Sequence, residues 1–168
     1  MKSKKNGKIF FFYMLILFFL CTLPFLSKVL LENRGEMKCI ARAIMHFEDP
    51  NVETVNANIH FHFASKGQGS MVVEGYSDSK AGWLYLQRYV KFEYDSQQIS
   101  NLERMYKVKK WSYSKSSIDE APDVIFDYFM REMSDSNHAL QIHVKKLNHS
   151  TVLLSSINSP LFICSLSE

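Results

Sequence analysis

Three histidines form the clearest candidate in this sequence for binding a metal ion or a proton. His60 and His62 are separated by one residue in the stretch Val55–Phe63, and His46 stands in the stretch before it. In an extended chain His60 and His62 share a face, and a neighbouring strand could bring His46 beside them. Two imidazoles at i and i+2 can reach one metal ion, as in strand-borne zinc sites. No carboxylate or further histidine follows at a recognisable ligand spacing, so no metal site is expected. Imidazole titrates at about pH 6–7, which makes His46, His60 and His62 candidate pH-sensing residues. The ordinary explanation of His60 and His62, which follow Asn56 and Asn58 at alternate positions, is the polar side of a half-buried strand.

Charged groups offer less. Asp119, Glu120, Asp123 and Asp127 crowd around a helix start, where negative charge suits the helix dipole. Reading them as a paired-carboxylate acid–base site is the weaker alternative. Lys107, Lys109 and Lys110 read as a solvated strand face, with contact to phospholipid headgroups as the alternative. The sequence has no G-x-S-x-G, no H-E-x-x-H, no glycine-rich phosphate loop and no C-x-x-C. No catalytic residue and no cofactor are therefore expected, and the protein is read as a non-enzyme. Of three cysteines, Cys21 lies in an apolar run, while Cys39 and Cys164 fall near the two ends of the chain beyond that run. In an oxidising compartment these two are placed to pair. The alternative is two buried free thiols.

The compartment is read from the start of the chain. Ile9–Leu26 carries no charged residue and comes after Lys2, Lys4, Lys5 and Lys8. At about 1.5 Å per residue, roughly 18 helical residues rise about 27 Å, close to the hydrocarbon thickness of a bilayer. Retention of positive residues in the cytoplasm sends the C-terminal portion outward. No small-residue cleavage pattern ends the run, so the segment is read as an uncleaved anchor. The expected organisation is a cytoplasmic tail over 1–8, a transmembrane helix over 9–27, a linker over 28–36 and a periplasmic β-rich domain over 37–168. Setting aside the four leading lysines, 16 basic residues face 17 acidic ones. That balance gives no basic stripe for nucleic acid.

The elements that would position these residues are mostly strands. Val55–Phe63 alternates strictly, with Val55, Ala57, Ile59, Phe61 and Phe63 on one side. Met37–Phe47 precedes it across Asp49-Pro50-Asn51, a turn composition that predicts a hairpin. A second turn is expected at Lys66-Gly67-Gln68-Gly69 and a third over Asp78–Gly82. Between and after them lie candidate strands Ser70–Tyr76, Trp83–Tyr94 and Leu102–Tyr113, the last with weak alternation. Arg88 interrupts the apolar face of Trp83–Tyr94, which predicts an edge, a bulge or a polar contact there. The period then changes. Ser116–Pro122 offers hydroxyls and Asp119 as helix caps, and Val124, Ile125, Tyr128, Phe129 and Met133 make a helical stripe ending near Ser134–Asn137. Three short strands close the chain: Ala139–Lys145, Thr151–Ile157 and Leu161–Leu166. The expected fold is α+β but mainly β. An N-terminal transmembrane helix precedes an antiparallel β-sheet or partial lipocalin-like barrel of about 7–8 strands with one covering helix.

Three local features add a resemblance. They are Met37-Lys38-Cys39-Ile40-Ala41 at the first strand, Ala121-Pro122-Asp123 opening an aromatic helix through Phe129, and Ser159-Pro160-Leu161-Phe162-Ile163-Cys164 at the end. Together with the layout of basic start, single span and exported β-rich domain, they resemble the FidL-like family of bacterial inner-membrane proteins over nearly the whole chain. The resemblance supports pairing of Cys39 with Cys164 and supplies no catalytic residue. It implies association with a membrane-bound winged-helix transcription regulator, in a scheme that looks like ToxS beside ToxR. In related pairs of that kind the two periplasmic domains together make a lipocalin-like barrel, an analogy at the level of fold. The expected function is that of a non-enzymatic inner-membrane accessory protein, held in the bilayer through Ile9–Ser27, whose periplasmic domain binds and stabilises the sensor domain of such a regulator. The alternative is a periplasmic binding module for an apolar small molecule such as a lipid or bile acid.

Overall fold

The computed structural model describes residues 13–18, 20, 22, 36–49, 52–80, 82–134, 140–156 and 159–167. The chain divides into two compact units, Met1–Gly35 and Glu36–Glu168. In the first, the described residues 13–18, 20 and 22 are helical. Among the described residues no helix is long and apolar enough to cross a membrane. Most of the expected span over 9–27 lies outside the described residues, as do the tail over 1–8, Cys21 and the linker up to residue 35.

In the second unit eight antiparallel strands succeed one another around a closed barrel in chain order. They are β1 (Met37–Asp49), β2 (Val52–Ala64), β3 (Gln68–Ser79), β4 (Gly82–Gln98), β5 (Glu103–Lys115), β6 (Gln141–Lys146), β7 (Thr151–Ser155) and β8 (Pro160–Leu166). Helix α1 (Asp123–Met133) lies between β5 and β6. Closure replaces the open sheet or partial barrel expected from sequence. β8 turns back onto β1, pairing Cys39 with Leu166, Ile40 with Ser165 and Ala41 with Cys164. Hairpin connections leave no choice of neighbours for the inner strands, and pairing of β1 with β8 over Cys39–Ala41 covers that part of the two edges that a meander would otherwise expose.

The inner face is built from period-two alternation. Val55, Ala57, Ile59, Phe61 and Phe63 of β2 are all buried, as are Leu86, Val90, Phe92 and Tyr94 of β4. The two halves of the interior differ in side-chain size. At one end Phe63 meets Phe92, Tyr94 and Tyr106 at ring-centroid distances of 5.6, 5.7 and 4.1 Å. At the other end small residues face each other across three strands, Ala43 opposite Ala57 and Ala57 opposite Gly75. A Cβ on Gly75 would strike the Asn56 carbonyl oxygen and lie 2.6 Å from the Ala57 Cα, so only glycine allows this approach of backbones. The room left there takes the apolar stripe of α1, whose Ile125, Phe126, Phe129, Met130 and Met133 are buried in the same core. Phe126 packs on Tyr113 of β5, Phe129 on Phe162 of β8, and Tyr128 on Phe47 of β1. The helix thus caps one end of the barrel.

Several local expectations shift. The turn after β2 is a 3-10 turn over Ser65–Gly67, with Lys66 and Gly67 at φ 71° and 73°, and Gln68 already belongs to β3. The weak alternation of β5 has a cause: Glu93 pairs with Lys110 but Tyr94 pairs with Val108, so Lys109 is an extra residue. The bulge reverses which residues face inward, from Tyr106 and Val108 before it to Trp111 and Tyr113 after it. Helix α1 begins after Pro122 with no side-chain cap, and it ends at Met133. The expected capping role of Asp119 fails because its carboxylate is engaged elsewhere.

Candidate functional site

Arg88 is that engagement. Its position on β4 points it inward, and its side chain is 0% exposed. Its Nε donates to Asp119 Oδ2 at 2.7 Å, Nη1 donates to Asp123 Oδ1 at 2.7 Å, and Nη2 donates to the Ala121 carbonyl at 3.0 Å. Asp119 is also buried, and it accepts the backbone N–H of Gln87 at 2.8 Å and of Ala121 at 3.0 Å. Lys115 donates to the Ala121 carbonyl at 2.8 Å. Tyr113 and Phe126 place their rings 6.0 and 5.6 Å from the guanidinium carbon. The guanidinium beside Asp123 holds that carboxyl below the usual range, by hydrogen bond first and by charge second. The knot joins the barrel wall to the segment leading into α1 and so fixes how the helix enters the mouth. Of the edge, bulge or polar contact that the sequence predicts at Arg88, the structure shows the polar contact; its partners Asp119 and Asp123, 31 and 35 residues on, fall in the sequence among the acidic residues suited to the helix dipole.

The histidines are distributed along the outer wall. His60 sits opposite Ile40 of β1 and Val72 of β3, and His62 sits opposite Lys38 and Ser70. His62 Nε2 lies 3.0 Å from Glu36 Oε1. Lys38 reaches the same carboxylate at 3.0 Å, and hydrogen bonds from Lys38 and then His62 lower the Glu36 pKa. His46 faces Thr54, with its Nδ1 3.1 Å from Thr54 Oγ1. Thr54 and His60 are six residues apart on one strand, roughly 20 Å at the rise of an extended chain. The register therefore keeps His46 away from the other two. Among the described residues no group of three His, Cys, Asp or Glu side chains is placed to hold a metal ion. Lys109 pairs with Asp95 at 2.8 Å, while Lys107 and Lys110 have no carboxylate partner among the described residues.

Cys39 and Cys164 are joined in a disulfide. It bridges β1 and β8 at the closing seam, the shortest ladder in the barrel, and both residues are buried. From Arg42 onward β1 pairs only with β2, so its other edge has no strand partner among the described residues. Ile40 and Ile44 of β1 and Ile163 of β8 are exposed on the outer wall beside this seam. Next to them lies a groove of about 740 Å³ lined by Arg42, Asn56, Asn58, Glu74, Tyr76 and Tyr85. A second groove, about 490 Å³, runs along the outer faces of β2 to β5 past His62, Ser70, Lys91 and Lys110. Both grooves are lined mainly by outward-facing residues, whereas the interior between the strands is occupied by rings and by α1.

A family model described as FidL-like putative membrane protein matches residues 75–164, more than half of the chain. The match takes in β4 to β7, β8 as far as Cys164, and Ala121-Pro122-Asp123. It leaves out the Met37–Ala41 motif on which part of the expected resemblance rested. No curated protein matches the chain.

Proposed function

The chain belongs to the FidL-like family, and from that premise we propose that it is a non-enzymatic accessory protein of the bacterial inner membrane. The segment 9–27 anchors it as a single span, the barrel lies in the periplasm, and the barrel binds and steadies the sensor domain of a membrane-bound winged-helix transcription regulator. The observation that carries this reading is the seam between β1 and β8. It combines exposed Ile40, Ile44 and Ile163 with a strand edge that, from Arg42, has no strand partner among the described residues. Such an edge accepts an added strand, with main-chain hydrogen bonds for affinity and neighbouring side chains for specificity. Exposed aliphatic residues beside it supply the apolar centre an interface needs. Because the chain closes its own barrel, strand addition at the seam replaces joint construction of one barrel by two proteins.

The test is co-purification from detergent with a winged-helix, single-span protein encoded nearby. Ile44→Glu lies on the outer wall and is expected to abolish co-purification while leaving the barrel folded. An unaltered yield of complex would argue against the seam. Retention of an apolar ligand is the second reading, and the ring-filled interior counts against it. Mass spectrometry of the purified protein, extracted under mild conditions, checks it.

A further inference from the structure

In a meander barrel, alternate hairpins lie at opposite ends. The β4–β5 and β6–β7 hairpins share the end at which β1 begins, directly after the N-terminal unit. Their tips are joined by the Lys146 N–H donating to the Leu102 carbonyl at 2.7 Å. Each turn is held by its own backbone bonds, Ile99 to Glu103 and Leu147 to Thr151, both 3.0 Å. These tips carry aliphatic side chains turned to solvent: Ile99 is 51% exposed, Leu102 57% and Leu147 50%. Around them the charge is one-sided. Residues 95–110 and 141–155 contain six basic residues against two acidic ones, Asp95 and Glu103. At the other end, residues 116–134 around α1 contain five acidic residues against Arg131, and of the five Asp119 and Asp123 are paired with Arg88 and Lys115, which leaves Glu120, Asp127 and Glu132 against Arg131. Lys145 pairs with Glu103 at 3.0 Å, while Lys107 and Lys146 have no carboxylate partner among the described residues.

We propose that the tips of the β4–β5 and β6–β7 hairpins form a docking surface for a membrane bearing anionic phospholipids. Ile99, Leu102 and Leu147 enter the interfacial layer, and Lys107, Lys145 and Lys146 meet headgroup phosphates. Aliphatic side chains rimmed by lysines are what an interfacial contact requires, since the stems lie along apolar surface while the ammonium groups stay at the phosphates. The acidic end around α1 would be repelled by the same surface, so the charge asymmetry selects one orientation. A tether on the same chain makes even a weak contact effective by raising local concentration. Such docking would present the wall of the barrel, seam included, sideways to a neighbouring protein. The inference rests on the anchored topology of the proposed function.

The test uses the full chain reconstituted into vesicles of phosphatidylcholine and phosphatidylglycerol with brominated acyl chains. An indole introduced by Leu102→Trp, in a W83F/W111F background, reports on the tips. Native Trp83, at the opposite end, reports as control in W111F. The expected result is quenching several-fold stronger for the introduced indole than for Trp83. The Cys39–Cys164 cross-link and the circular dichroism spectrum confirm folding of each variant. At roughly fivefold per basic residue near an anionic surface, K145E/K146E should lower the docked-to-free ratio by roughly 25-fold or more, and all-phosphatidylcholine vesicles should act in the same direction. Equal quenching of the two reporters overturns the proposal, as does quenching indifferent to lipid charge and to lysine reversal. Quenching that appears only with a regulator co-reconstituted overturns it in favour of a protein interface. A chain that fails to float with vesicles at all overturns the tether instead.

Discussion

At the residue scale the barrel depends on a buried charge with little slack. Arg88→Met leaves the buried Asp119 with only Lys115, at 3.5 Å, as counter-charge, and removing one partner of such a buried pair costs about 3–5 kcal/mol. Urea denaturation of the variant measures it. Adding Asp119→Leu should restore only part of the loss, because the Gln87 and Ala121 N–H groups then lack their acceptor. Acid should loosen the exposed arm of the knot first. Asp123 titrates below its ordinary range in the fold, so its contribution is present above the unfolded value and lost as pH falls through the lowered one. Tyr94 behaves oppositely. Burial pushes its hydroxyl up to about 12, and that hydroxyl donates to the Ala64 carbonyl at 2.5 Å. The folded state holds the proton more tightly, so this contribution is complete below about pH 10 and lost as pH rises towards about 12. Denaturation midpoints across that range should fall less steeply in Tyr94→Phe than in the parent.

At the element scale α1 and the β5 bulge work together. The helix has no side-chain cap, and its seat depends on Phe126 and Phe129 filling the end lined by Ala43, Ala57 and Gly75. Phe126→Ala should therefore cost about 3–5 kcal/mol, the usual range for emptying an aromatic position in a core. The bulge turns Tyr113 inward to meet Phe126 at 4.9 Å. Deleting Lys109 should restore unbroken alternation with Trp111 and Tyr113 still inward, so the helix keeps its seat, whereas Tyr113→Ser removes the ring on which Phe126 packs and should loosen it. Faster amide exchange over Ile125–Met133 in Tyr113→Ser but not in the deletion, with the β2–β3 ladder still protected in both, is the expected signature. Alternation, hairpin turns and the amphipathic stripe were all legible in sequence, because each is written in neighbouring residues. The bulge was legible only as weak alternation, since a single extra residue changes no composition.

At the scale of the whole molecule, closure depends on very few pairings. Three residue pairs join β8 to β1, whereas β1 and β2 pair along nearly their whole length. The Cys39–Cys164 disulfide crosses that seam over a sequence separation of 125 residues. In the chain-entropy account a loop of this length contributes about 4–5 kcal/mol. The C39S/C164S variant should lose that much, read as a lower denaturant midpoint. Its amide exchange should quicken first at residues 39–41 and 164–166, where the seam then keeps three residue pairs and the Ser167 N–H donated to the Lys38 carbonyl.

Local chemistry was enough to determine about seven or eight strands, one late helix, an interruption of the apolar face at Arg88 and thiols disposed to pair. These stem from alternation, turn composition and the cost of an inward charge, all short-range properties of the chain. Tertiary structure alone decided that the barrel closes, because closure depends on the accumulated register around eight strands. It also decided that Asp119 serves Arg88 and not the helix, and that His46 lies far from His60 and His62. Each of these depends on which distant residues the register brings opposite one another, a property that no single stretch of sequence contains.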